Sequence, residues 1–117
     1  MFYDFRQNNS GGSFKVTDSV GHYVIIEADN AQEANEKAEQ VGIYFDGCST
    51  GKDCNCCGDR WYPQWDSDGS EEPSIYGENI EEYKNSIRYS VSDEEVIFVY
   101  YKGGHSKKIV IDVKSEK

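Results

Sequence analysis

The sequence predicts an α+β fold: an antiparallel sheet with one main helix packed on one face, and a cysteine-rich loop suited to zinc. Three observations predict it. Residues 30–41 repeat small apolar side chains at helical spacing, between a capping residue and a glycine. Runs rich in β-branched and aromatic residues stand at 22–28, 95–102 and 107–113. Between the helix and the C-terminal strands, residues 48–57 hold all four cysteines of the chain.

Taken in order, Phe2, Tyr3 and Phe5 predict a first strand. Asn8-Asn9-Ser10-Gly11-Gly12-Ser13 supplies turn residues, and Phe14-Lys15-Val16 predicts a second strand after them. His22 to Ala28 (HYVIIEA) is the strongest early strand. Asn30 and Glu33 have the spacing of a capping box. Ala31, Ala34, Ala38 and Val41 follow at helical intervals with charges between them, and Gly42 ends the helix. From Asp66 to Glu82 the chain carries seven acids and no base, with Gly69, Pro73 and Gly77 as breakers, which predicts a solvated acidic loop and a short helical turn at about 78–85. Ile87 to Val91, Glu95 to Lys102 and Lys107 to Val113 predict strands, the last two joined by a hairpin turn at Gly103-Gly104-His105-Ser106. With no repeat and no linker, residues 1–117 read as one domain. A zinc-knuckle-like insertion is expected at about 43–65 and the acidic loop at about 66–82.

The net charge is −10, from 22 acids and 12 bases, and 14% of residues are aromatic. That aromatic content argues against disorder. Nucleic acids and anionic membranes attract basic faces, so general nucleic-acid binding is excluded, although a local basic pocket for one nucleotide is not. The start of the chain lacks the apolar run of a signal peptide, and no stretch reaches the roughly 18 apolar residues of a membrane span. The expectation is a cytosolic protein, where clustered thiols bind metal more often than they form disulfides.

The cysteine spacing is Cys48-x5-Cys54-x-Cys56-Cys57-Gly58. Cys54 to Gly58 reads C-x-x-C-G, a knuckle in which two thiolates reach one ion across a tight turn that the glycine eases. Cys48, Cys54, Cys56 and Cys57 are therefore the expected ligands of a structural Zn²⁺. Adjacent Cys56 and Cys57 chelate one tetrahedral ion only with a contorted backbone, so His22 or His105 is an alternative fourth ligand. The zinc deaminase signature and H-E-x-x-H are both absent. Gly47 to Asp53 resembles a phosphate-binding loop but is one residue short, and Asp53 stands where the loop needs Ser or Thr.

Beside the knuckle stand Arg60, Trp61, Tyr62 and Trp65, residue types that dominate binding hot spots and that stack on nucleobases. They are the candidate binding surface. The competing reading is that the tryptophans roof the cysteine loop and Arg60 pairs with an acid.

Tyr44-Phe45-Asp46-Gly47-Cys48, Asp53-Cys54, Cys56-Cys57-Gly58-Asp59-Arg60-Trp61 and the opening Met1-Phe2-Tyr3-Asp4-Phe5-Arg6 resemble a family of small proteins encoded by tailed bacteriophages. The resemblance spans most of the chain and brings no assigned activity. It implies a protein working in the cytoplasm of a bacterial host, where small accessory proteins redirect or block host processes. The expected function is therefore non-catalytic binding and blocking of a host protein, through Trp61, Tyr62, Trp65 and the acidic loop. The alternative is a sponge for a nucleotide immune signal, an oligomer using Arg60, Arg88 or Lys52 on phosphate. A metal-dependent enzyme comes third, for want of a base near the cysteines.

Overall fold

A computed structural model describes residues 1–8, 15–53, 58–75, 78–85 and 94–112. Its centre is a four-stranded sheet of β1 (Phe2–Arg6), β2 (Tyr23–Glu27), β5 (Glu94–Tyr100) and β6 (Ser106–Asp112), in the order β1-β2-β5-β6. β1 pairs antiparallel with β2, and β5 with β6, but the central pair β2 and β5 is parallel, with Tyr23 opposite Ile97. The sheet is mixed, which corrects the expectation of an antiparallel one. The cause is topological: the chain leaves the end of β2 through the helix α1 (Ala31–Val41) and returns to enter β5 in the same direction, as a parallel pair requires.

The strand expected at Phe14-Lys15-Val16 is also corrected for its described part. Lys15 and Val16 lie outside any strand, and Phe14 lies outside the described residues. The partner of β1 is β2, and Lys15 is held by Gln7 instead: its N–H donates to Gln7 Oε1 at 2.6 Å, and Gln7 Nε2 donates to the Lys15 carbonyl at 3.0 Å. One buried amide replaces the ladder that a strand would have formed. The strand expected at Ile87 to Val91 lies outside the described residues, while the C-terminal hairpin forms as expected.

α1 starts where its capping signal places it. Asn30 Oδ1 accepts the Glu33 N–H at 2.9 Å, and Glu33 Oε1 accepts the Asp29 N–H at 2.9 Å. Gly42, at φ 117°, ends the helix in the left-handed conformation that only glycine takes easily. Ala31, Ala34 and Ala38 line the buried face, and their small side chains let the helix lie close to β2.

Alternation along the strands sends side chains to two cores. Tyr3, Phe5, Val24 and Ile26 meet α1 and Trp61 on one face. Ile25, Ile97, Val99 and Ile111 meet Ile75, Ile80 and Tyr83 on the other. That second face is covered from the acidic stretch, which folds into a 3₁₀ turn (Asp66–Asp68), the short strands β3 (Ser74–Ile75) and β4 (Glu78–Asn79), and α3 (Ile80–Asn85). A four-residue helix, α2 (Gly47–Thr50), opens the cysteine segment and carries Cys48. The acidic stretch is thus a cover whose Ile75 and Ile80 point inward, while Asp66, Asp68, Glu71 and Glu72 remain exposed. Among the described residues, no helix is long and apolar enough to cross a membrane.

Candidate functional site

Cys54, Cys56 and Cys57 lie outside the described residues, so the structure describes the frame of the cysteine segment rather than its tip. Among the described residues, no group of three or more His, Cys, Asp or Glu side chains is placed to hold a metal ion. Cys48 is half-buried on α2. His22, one alternative ligand, is buried, and its Nδ1 accepts the Val96 N–H at 3.1 Å. His105, the other, is exposed in the β5–β6 turn and stacks on Tyr101 with ring centres 4.5 Å apart.

The frame is built on Asp53, which sequence reasoning treated only as a misfit in a phosphate loop. Its side chain is buried against the start of α2, where a Cβ on Gly47 would stand 1.8 Å from Asp53 Oδ2, so glycine is required at position 47. The Lys52 and Asp53 N–H groups both donate to the Gly47 carbonyl, at 2.8 and 3.0 Å. Asp53 Oδ1 accepts the Tyr44 hydroxyl at 2.7 Å, and Oδ2 accepts the Arg60 N–H at 2.8 Å. The Arg60 guanidinium, 4% exposed as a residue, reaches Gln7 Oε1 at 2.8 Å and the Tyr44 hydroxyl at 3.2 Å, with Nε 3.7 Å from Asp53 Oδ1. Gln7 in turn donates to the Gly21 carbonyl at 2.8 Å. Gln7, Tyr44, Asp53 and Arg60 thus partner one another in this knot, as burial demands.

Burial by itself would raise the Asp53 carboxyl, but the Arg60 N–H, the Tyr44 hydroxyl and the Arg60 charge outweigh it and hold the group below the usual carboxylate range. Tyr44 is pushed up, by burial first and then by its bond to Asp53. Two further bonds tie the flanks of the segment together: the Cys48 N–H donates to Asp59 Oδ1 at 2.9 Å, and Asn8 Nδ2 donates to the Asp59 carbonyl at 3.1 Å. The cysteine tip therefore leaves and re-enters the fold through one polar clasp anchored on the end of β1.

The four residues of the candidate binding surface separate into two pairs. Arg60 sits in the clasp, and Trp61, 2% exposed, packs in the core beneath α1. Tyr62 and Trp65 are 53% and 72% exposed. Trp65 is nonetheless held at its backbone. Gln64 exchanges two hydrogen bonds with the Asn35 side chain, at 2.9 and 3.1 Å, and the Trp65 N–H donates to Asp68 Oδ2 at 2.7 Å. Asp66 Oδ1 accepts the Ala31 N–H at 2.9 Å, placing a carboxylate on the first turn of α1, where the helix dipole favours it.

This strap and the exposed side of α1 enclose an open groove of about 600 Å³. Phe45, Pro63 and Trp65 supply its apolar surface; Glu36, Glu39 and Asp66 supply its charge, and among the described residues no base lines it. A smaller cavity of about 210 Å³ lies at the other end of α1, between Lys37, Tyr100, Tyr101, Lys102 and His105. There the lysines are already paired: Lys102 with Asp29, and Lys37 with Glu33 at 3.8 Å. Of the phosphate contacts considered for a nucleotide, Arg60 is enclosed in the clasp, the Lys52 ammonium lies over the Tyr44 ring at 4.8 Å, and Arg88 lies outside the described residues.

Sequence reasoning missed Asp53, Tyr44 and Gln7, which build the clasp, and Asn35, which holds the strap. A buried polar residue has no periodic signature, so the available signals were weak: acids at 53 and 59 close to a lone arginine, and an asparagine inside a helix that favours other residues. No curated protein and no solved structure matches the chain. A family model does, over residues 1–116, and the chain belongs to that family, DUF7296, a domain of unknown function.

Proposed function

We propose that this protein is a non-catalytic binding module that seats a basic segment of another protein in the groove along α1 and blocks that partner by covering its surface. The observation that carries this reading is Trp65, 72% exposed yet fixed by hydrogen bonds on both sides. A large aromatic on a restrained backbone costs little further entropy on binding, and an indole face attracts Lys and Arg side chains. Glu36, Glu39 and Asp66 along the same groove supply the complementary charge, in a chain of net charge −10. Tyr62 extends the aromatic surface, while Arg60 and Trp61 support it from beneath.

In the same reading the protein acts as a phage-type accessory factor in the bacterial cytoplasm, against a host defence or regulatory protein. Cys48, Cys54, Cys56 and Cys57 hold a structural Zn²⁺ that stiffens the tip beyond the clasp. A nucleotide sponge is the second reading, favoured by the cavity where Lys37, Lys102 and His105 meet Tyr100 and Tyr101. The carboxylates already paired with those lysines weaken it.

The test is a fluorescence titration of the full chain with Lys- and Arg-rich peptides carrying an apolar centre. Binding is expected to change tryptophan emission and to weaken as salt rises. Trp65→Ala or Glu36→Lys should reduce affinity about tenfold, the equivalent of 1.4 kcal/mol, whereas Glu71→Lys, away from the groove, should change it little. Equal loss from Glu71→Lys, or no loss from Trp65→Ala, would mean diffuse charge attraction and would sink the reading. Elemental analysis of protein purified without added metal tests the zinc separately, with one ion per chain expected and Cys54→Ser or Cys57→Ser expected to release it.

A further inference from the structure

The two edges of the central sheet are finished differently. At β1, Phe2 and Ser70 exchange backbone hydrogen bonds of 2.7 and 2.8 Å, so the acidic stretch closes part of that edge. Among the described residues, no strand lies against the outer edge of β6. β6 has seven residues, SKKIVID, without proline or glycine. Its register with β5 runs unbroken from Glu94↔Asp112 to Tyr100↔Ser106, so no bulge turns the edge away. An edge this long and regular, with no partner strand among the described residues, is a template for another strand.

The outward groups follow from the ladder. Opposed residues in an antiparallel pair alternate between those that exchange hydrogen bonds and those that do not. The Tyr101 N–H donates to the His105 carbonyl at 2.9 Å, continuing the register of the two strands. Val99↔Lys107, Ile97↔Ile109 and Glu95↔Ile111 are then the bonded pairs. The N–H and C=O of Lys108 and Val110 therefore face away from β5, and the Val110 side chain is 48% exposed beside them.

We propose that the edge of β6 is an interface between two copies of this chain, paired antiparallel about a two-fold axis through Val110. The sequence of the strand selects that register. About Val110, valine meets valine, Ile109 meets Ile111, and Lys108 stands opposite position 112, an aspartate in the sequence. About Ile109, Lys108 would stand opposite Val110 and Lys107 opposite Ile111. Pairing about Lys108, or parallel pairing in register, sets lysine against lysine, which opposed strands disfavour. Edge lysines ordinarily guard against association; of the registers compared, the Val110 axis alone sets a lysine opposite an acid in the sequence. The axis through Val110 keeps each face of the sheet continuous across the junction, so both layers of the fold extend into the partner copy.

The test is sedimentation equilibrium of the full chain over a range of concentrations, with melting temperature followed alongside. Wild type is expected to dimerise. Val110→Pro should be monomeric with its melting transition retained when measured at low concentration, because the lost N–H points outward and proline is tolerated at such edge positions. Lys108→Glu should weaken the dimer roughly tenfold by setting like charges opposite each other. Adding Asp112→Lys to it should restore the dimer, a result that loss of folding cannot produce. A wild type that stays monomeric throughout, a dimer indifferent to charge reversal, or a dimer dissolved instead by Trp65→Ala would each overturn the proposal.

Discussion

Arg60 with Trp61, and Tyr62 with Trp65, come from one six-residue stretch, and the fold uses them in opposite ways. The first pair is almost sealed, with Arg60 at 4% and Trp61 at 2% exposure, and the second is left in solvent. Residue type does not decide this, since each pair has one tryptophan and one residue able to bond or stack. Backbone anchoring decides it. The Arg60 N–H is held by Asp53 and its carbonyl by the Asn8 N–H at 2.8 Å, which turns Trp61 into the core under α1. Four residues later Asn35 and Asp68 hold the chain against the outside of the helix, and Trp65 has no core to enter. The same composition thus supplies a structural anchor first and an exposed aromatic surface second.

Substitutions can separate the two roles. Trp61→Ala should have the largest effect on stability, a loss of about 4 kcal/mol from deleting a buried aromatic that the core cannot refill. Its melting temperature should fall accordingly in a thermal scan. Asp53→Ala should follow, at about 3 kcal/mol, because it leaves the Arg60 charge, the Arg60 N–H and the Tyr44 hydroxyl buried with partners missing. Asp53 also gives the clasp a pH dependence of definite sign. Its folded-state pKa lies below the unfolded value of about 3.9. Its stabilisation is therefore complete above about pH 5 and drains away as pH falls through the folded pKa. Denaturant melts from pH 6 to pH 3 should show this acid limb in the wild type and a flatter one in Asp53→Asn. If Asp53→Asn retains the full slope, another carboxylate is responsible.

How much of this was legible depended on whether a feature had a period. α1 was readable to within a residue because Asn30, the alanine spacing and Gly42 all mark it. The C-terminal hairpin was readable because two β-branched runs flank a glycine turn. The parallel pairing of β2 and β5 was not, since strand direction depends on where a crossover returns, and nothing local to either strand encodes that. The packing residues of the acidic stretch were hidden for a related reason: its charges dominate its composition, while Ile75 and Ile80, spaced irregularly among them, and Tyr83 just beyond do the packing. In the site, the sequence leaves a roofing Trp61 and a binding Trp61 both open, because Asp53, Tyr44 and Gln7, which fix the backbone beside it, are spread along the chain.

Smaller effects sharpen the comparison from its exposed side. Asn35→Ala removes both bonds to Gln64 and should cost about 1–2 kcal/mol. Its more telling consequence is release of the strap: Trp65 should become more mobile, seen as lower fluorescence anisotropy, while Trp61 stays fixed.

Trp65→Ala should alter stability least, by no more than about 0.5 kcal/mol, because its ring is 72% exposed and the bonds that hold the segment come from the backbone. If this chain uses the groove along α1, that variant loses basic-peptide binding with its melting temperature intact, whereas Trp61→Ala loses stability first and binding only as the fold fails. A marked drop in melting temperature for Trp65→Ala would show that the indole supports the strap. Tyr62, three residues earlier, would then be the exposed aromatic left to the stretch.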